Sequence, residues 1–202
     1  MTDKLDRRQL KTKQLLREAF VKLIREKGYE GITVSDLTRK ANINRGTFYL
    51  HYKDVLDLRD HLKAEFHQGL LAIVSHLEPG ELFKAASEGK VYDGLVRLYE
   101  YFDAQADFFE VMLGPKGDLT FARLLKDTIE ERMNEKIAKI TTGRKDVLVP
   151  PDVLIAYMAS AQLGFVLHWL QTGRKQSPRE LAQMLTHIMY LGPLKAVGFQ
   201  AN

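Results

Sequence analysis

Residues 44–53, NRGTFYLHYK, gather side chains of the kind that grip and read double-stranded DNA. A guanidinium such as that of Arg45 can bond either a guanine edge or a phosphate. The hydroxyls of Thr47, Tyr49 and Tyr52 and the ammonium of Lys53 suit phosphate oxygens, and Gly46 lets backbone approach backbone. Just upstream, Thr33-Val34-Ser35-Asp36 has the spacing of a capping box, which starts a helix. Asn42 tolerates the positive φ of a sharp turn better than any other non-glycine residue, and Asn44 can cap the helix that follows. Helix, tight turn and helix over residues 33–52 is the layout of a DNA-reading helix-turn-helix, though pairs of amphipathic helices that bind no DNA share it.

Little else in the chain carries chemistry. There is no G-x-S-x-G, no H-E-x-x-H, no phosphate-cradling glycine loop and no cysteine, so no catalytic constellation, cofactor or metal is expected. Of the six histidines, His61, His67 and His76 fall on one predicted helix without ligand spacing. Gly114-Pro115-Lys116-Gly117 reads as a turn. An aromatic and methionine set comprises Tyr99, Phe102, Phe108, Phe109, Met112, Phe121, Tyr157, Met158, Phe165, His168 and Trp169. These residues either form core or line an apolar ligand cavity, for which Tyr157, Gln162, His168 and Trp169 would be polar handles.

The elements that must position these groups are helical throughout. Residues 1–60 hold 14 Lys/Arg against 9 Asp/Glu, while residues 61–202 hold 16 against 17, so all of the net charge of +4 lies in the first third. A polyanion partner for that third fits this asymmetry, as does a solvated basic face. The polar N-terminus has no secretory h-region, so a cytoplasmic protein is expected. Apolar spacing predicts helices over residues 7–27, 33–41, 54–77, 91–105, 107–113, 119–140 and 153–170, and another opened by the capping box at Ser177-Pro178-Arg179-Glu180. Glu78-Pro79-Gly80 is read as a helix stop. The helix over 153–170 is apolar on all sides; Gln162, His168 and the absence of one-sided basic flanks argue against a membrane span, so burial by neighbouring helices is expected. Its stripe of Ala156, Ser160 and Gly164 would admit another helix closely. Residues 1–56 form the expected DNA-binding domain and 57–202 the second, with the boundary inside a long shared helix.

The stretch ITVSDLTRKANINRGTFYLHYKD resembles the N-terminal domain of TetR-type bacterial transcriptional regulators over about residues 9–60. FFEVMLGPKGD and AYMASAQLGFVLHWLQTGRKQSPRELAQML resemble the C-terminal domain of a TetR subgroup common in Firmicutes. The resemblance implies an all-α fold: a three-helix helix-turn-helix head joined by a long fourth helix to a helical ligand-binding and dimerisation domain. It implies DNA contacts at Thr33, Ser35, Asn44, Arg45, Gly46, Thr47, Tyr49, His51, Tyr52 and Lys53. A ligand pocket would involve Tyr99, Phe102, Phe109, Met112, Phe121, Tyr157, Gln162, Phe165, His168 and Trp169. A homodimer interface would involve Ala156, Ser160, Gly164, Leu167, Leu181, Leu185 and Ile188. The implied function is that of a non-enzymatic repressor released from a palindromic operator by an unknown small-molecule effector, with no membrane partner. The alternative is a non-enzymatic dimeric interaction protein or co-activator acting through a protein partner. Two positions depart from the pattern. Asn42 stands where glycine is usual, and Val55 where many relatives have a phosphate-anchoring lysine, a task that Lys53 could take over.

Overall fold

The computed structural model describes residues 2–199, with side chains described from Arg7 onward. Among the described residues there are helices and no strand. They run α1 (Thr2–Lys27), α2 (Val34–Ala41), α3 (Arg45–Tyr49), α4 (Val55–Val74), α5 (Pro79–Ser87), α6 (Asp93–Ala104), α7 (Ala106–Leu113), α8 (Leu119–Thr141), α9 (Pro151–Gln171), α10 (Pro178–Leu191) and α11 (Pro193–Ala196). The chain is all-α, and its predicted long helices are present with ends shifted by a few residues. α5 and α11 are additions. Each starts with proline at the first helical position, where the missing N–H costs no hydrogen bond, so Pro79 opens a helix, the previous one having ended at Val74.

Two compact units divide the chain. One comprises residues 1–68 and 107–123, the other 69–106 and 124–202. The first is therefore larger than the expected 1–56, and the physical reason is aromatic. Phe66 stacks on Phe108 at 3.6 Å, Phe108 meets Phe121 edge-on at 5.6 Å, and Phe109 lies 6.1 Å from Phe121. α7 and the turn after it are thus built into the first unit. Polar bonds add to this: Arg25 reaches Asp107 at 2.7 Å and Glu110 at 3.1 Å, and the Tyr29 N–H donates to the Lys116 carbonyl at 3.0 Å. Gly117 is required in that turn, because a Cβ there would lie 2.1 Å from the Met112 carbonyl oxygen.

Asp118, buried just beyond this turn, keeps its charge. Burial opposes ionisation, but hydrogen bonds from the Thr120 side chain and backbone, from Tyr29 and from Lys63 outweigh it and hold the carboxyl below its ordinary range. Lys63 stands 3.3 Å away.

In the second unit α10 packs on α6 and α5. α9 is long and apolar enough to cross a membrane, yet it is not enclosed as its composition predicts. Ile155, Ala159, Val166, Trp169 and Leu170 are buried, whereas Val153, Ala156, Tyr157, Ser160, Ala161 and Gly164 are exposed. One side of α9 covers core and the other stands uncovered in the single chain.

Candidate nucleic-acid interface and cavity

Local sequence fixes the first helix of the reading motif. The Thr33 hydroxyl accepts from the Asp36 N–H at 3.2 Å while the Asp36 carboxylate accepts from the Thr33 N–H at 3.0 Å, the reciprocal pair that the spacing predicts. Hydrogen bonding to Lys27, then to the Thr33 side chain and backbone, holds the Asp36 carboxyl far below the usual range. Thr33 is accordingly committed to the cap, while Ser35 beside it is exposed.

α2 ends at Asn42, whose φ of 52° and ψ of 49° are left-handed. The Asn42 N–H donates to Arg39 O, and the Ile43 N–H donates to Thr38 O at 3.0 Å, closing a Schellman-type turn. Asn44 then caps α3, its Oδ1 accepting from the Gly46 N–H at 2.9 Å.

α3 is anchored by Phe48, which is fully buried; its cap Asn44 and its Arg45, Gly46 and Tyr49 face solvent, as does Lys53 in the connection to α4, with Thr47 half-exposed. The Arg45 Nε–H and Nη2–H donate to the Tyr49 hydroxyl at 3.2 and 3.0 Å, one helical turn along. A Cβ added at Gly46 would meet only Asn44 Oδ1, at an ordinary 3.6 Å, so the fold does not require glycine there. The Lys53 N–H donates to the Asp57 carboxylate at 2.8 Å, tying the entry of α4 and leaving the Lys53 side chain outside. Val55, half-buried, is the first residue of α4.

Two of the expected contact residues lie differently. Tyr52 is only 5% exposed, and its ring packs 5.9 Å from Phe48 and 5.5 Å from His61. Burial, then the carboxylates of Glu65 and Asp57, push its phenol pKa up, and the chain leaves little of this side chain at the surface for a phosphate. His51 is half-buried, and burial followed by the nearby Lys13 lowers its imidazole pKa, which favours the neutral ring. Leu50, absent from the expected contacts, is 82% exposed directly after α3. Its position after Tyr49 was the only signal in the sequence.

The second unit holds an apolar cavity of about 130 Å³, comparable in size with an engineered core cavity of about 150 Å³ that takes up benzene. Its wall includes Leu70 and Val74 of α4, Leu95, Tyr99 and Phe102 of α6, Ile129, Arg132, Met133 and Lys136 of α8, and Met158, Gln162 and Leu163 of α9. Tyr99, Phe102 and Gln162 are the expected pocket residues found on it.

Phe109, Met112 and Phe121 are buried in the first unit instead, because the aromatic cluster around Phe66 claims α7. Tyr157, 59% exposed, and His168 lie on the uncovered side of α9. Phe165 is half-buried 6.1 Å from Tyr99 without reaching the wall, and the Trp169 indole N–H is used by the Gln176 carbonyl at 3.0 Å. Arg132 and Lys136 are wall residues outside the expected set, and the sequence signal for them is that they continue the Leu125, Ile129, Met133 stripe of α8 at helical spacing. Among the described residues no three His, Asp or Glu side chains are grouped to hold a metal ion.

The expected dimer residues also divide. Ala156, Ser160 and Gly164 are exposed, and a Cβ at Gly164 would meet nothing within 4 Å. Leu167 and Ile188 are half-buried. Leu181 and Leu185 are buried within the chain, where α10 packs on α6 and α5.

The chain matches known proteins along most of its length. Residues 16–60 match the family described as "Bacterial regulatory proteins, tetR family", and residues 89–191 match "Transcriptional regulator C-terminal region", the TetR_C_8 family. A curated relative, an uncharacterized HTH-type transcriptional regulator YxbF of Bacillus subtilis (strain 168), is 42% identical over 74 residues, 36% of this chain. The match spans only 19% of that relative's length. A putative TetR-family transcriptional regulator from Syntrophomonas wolfei has a similar solved structure, with a TM-score of 0.61 at 17% identity, covering 94% of this chain and 97% of that one. A TetR transcriptional regulator from Streptococcus agalactiae 2603V gives 0.58 at 25% identity, covering 94% and 99%. With both its helix-turn-helix segment and its C-terminal region matched in this way, the chain belongs to the TetR family of bacterial transcriptional regulators.

Proposed function

We propose that this chain acts in the cytoplasm as a homodimeric repressor that holds a palindromic operator with two α3 helices and leaves it when a small molecule fills the cavity of the second unit. The observation that carries the DNA-binding part is the surface of α3. Phe48 fixes the helix from beneath, while Arg45 and Tyr49, bonded to each other, and Lys53 just beyond the helix stand outside. Arg45 would read a base edge, Thr47, Tyr49 and Lys53 would meet phosphates, and Gly46 would let the backbone close on the duplex.

The uncovered side of α9 supports dimerisation. Val153, Tyr157 and Leu154 expose apolar surface there beside Ala156, Ser160 and Gly164, whose small side chains admit a second helix at short range. A two-fold pair of heads would read half-sites about 34–36 Å apart, or a multiple of that turn. An effector lowers operator affinity only by binding the released geometry more tightly than the DNA-bound one.

The reading is tested by selecting from random duplex DNA with the full chain at low salt. An enriched palindrome bound by a dimer is expected. Binding without enrichment, or enrichment of an unrepeated site by a monomer, overturns it.

A further inference from the structure

We infer that the cavity takes a small amphipathic carboxylate, its apolar body among the leucines and methionines of the wall and its acid group on the Nε–Nη2 edge of Arg132. This rests on the reading of the cavity as an effector site and adds the class of effector.

Among the described residues, two side-chain atoms are shielded from solvent and lack any hydrogen-bond partner, Arg59 Nε and Arg132 Nε. Buried donors in native structures normally find a partner, so each calls for an explanation. For Arg59 the rest of the head is engaged: it lies 4.3 Å over the Tyr29 ring, and its Nη2 donates to the Tyr29 carbonyl. Arg132 has no such stack. Its Nη1 meets Glu135 Oε2 at 3.0 Å, its Nε is shielded and unpartnered, and the residue lines the cavity.

The second cation on the wall is already consumed. Lys136 Nζ donates to Ser75 O at 3.1 Å, to Leu77 O and to Glu78 Oε1 at 2.8 Å, satisfying the carbonyls that end α4 and neutralising the one carboxylate of the lining. Arg132 is thus the charge with donors to spare. Tyr99 and Gln162 supply two neutral polar groups to the same wall, and burial keeps the Tyr99 phenol protonated by pushing its pKa up.

The edge of a guanidinium matches the two oxygens of a carboxylate with parallel N–H bonds. A cationic ligand would be repelled there. A neutral alkyl ligand would leave the Nε–H as lonely as before, and a polyanion would find a single cation in an otherwise apolar wall.

Three probes with one tail and different heads separate these cases: octanoate, 1-octanol and octylamine, each titrated into the full-length protein by calorimetry. Trp169, the single tryptophan, lies 6.5 Å from Tyr99 on the wall and reports occupancy independently by fluorescence. Octanoate is expected to bind at least about tenfold more tightly than 1-octanol, the ratio that one charge-assisted hydrogen bond supplies, and octylamine most weakly. Arg132→Met keeps the apolar stem, so it should still bind 1-octanol while losing the preference for octanoate. Glu135→Gln should keep the preference. Equal binding of octanoate and 1-octanol, no binding of octanoate, or a preference that survives Arg132→Met overturns the assignment. Operator affinity is measured separately: selective octanoate binding that leaves it unchanged removes the effector reading while the carboxylate site stands.

Discussion

The reading motif of the first unit and the cavity of the second use their polar groups in opposite ways. Around the helix-turn-helix nearly every polar side chain is spent on local structure: Thr33 and Asp36 on the start of α2, Asn44 on the start of α3, Asp118 on Lys63 and Thr120. What remains outside is a short row on α3. On the wall of the cavity in the second unit, by contrast, polar groups are few, and one of them, Arg132 Nε, is not used by the fold. The first arrangement suits a surface that must be rigid before it meets a large, regular partner. The second suits a pocket whose partner is small and supplies the missing bonds itself.

Removing the rigid support should do the greatest damage. Phe48→Ala empties a fully buried ring site beneath α3 and should cost about 3–5 kcal/mol of head stability, read as a lower denaturation midpoint. A loss below about 1 kcal/mol would mean that α3 is held by something other than this anchor.

Next comes the buried carboxylate. Asp118→Asn exchanges charge-assisted bonds for neutral ones and should cost about 1–3 kcal/mol at neutral pH. Because the folded pKa of Asp118 is lowered, its contribution is present above the ordinary carboxylate pKa and fades as pH falls towards the folded value. The difference between wild type and Asp118→Asn should therefore shrink below about pH 4. A difference independent of pH would dissociate this residue from the pair with Lys63.

Gly46→Ala separates folding from reading most directly. With only Asn44 Oδ1 near the added methyl, stability should hold or rise by up to about 1 kcal/mol, while operator affinity falls because the backbone is kept off the duplex. Unchanged affinity would place DNA away from this part of α3.

The smallest effect is expected at Lys53. Lys53→Ala should weaken binding to all sequences about equally and lower the salt slope by about 1 for each head engaged. An unchanged slope would leave the position of Val55 without a substitute for the phosphate-anchoring lysine.

Legibility in the sequence followed the range of the interactions. The capping boxes at Thr33 and Ser177, the left-handed Asn42 and the cap at Asn44 depend on residues at most five positions apart, and all were readable from spacing. The burial of Tyr52 is not legible, because a tyrosine among DNA-facing residues is equally at home beneath them, and its packing on Phe48 and His61 depends on residues outside the local pattern. Phe109, Met112 and Phe121 were assigned to the wrong unit for a similar reason: helical periodicity says which face is apolar but not which distant partner, here Phe66, receives it. Leu181 and Leu185 show the same ambiguity between a chain's own core and a second copy.

The bond between Arg45 and Tyr49 has a consequence for the thermodynamics of recognition. A long, flexible arginine on a bare helix would surrender its rotational freedom only at the moment of contact, at a cost of about 0.5–1.5 kcal/mol for such a side chain. Here the guanidinium already rests on the hydroxyl of Tyr49 one turn away, and the Tyr49 ring meets the buried Phe48 ring edge-on with centroids 5.5 Å apart. Part of that ordering is met during folding, so the arginine is presented within a restricted arc before DNA arrives, and the association becomes less dependent on entropy lost at the interface.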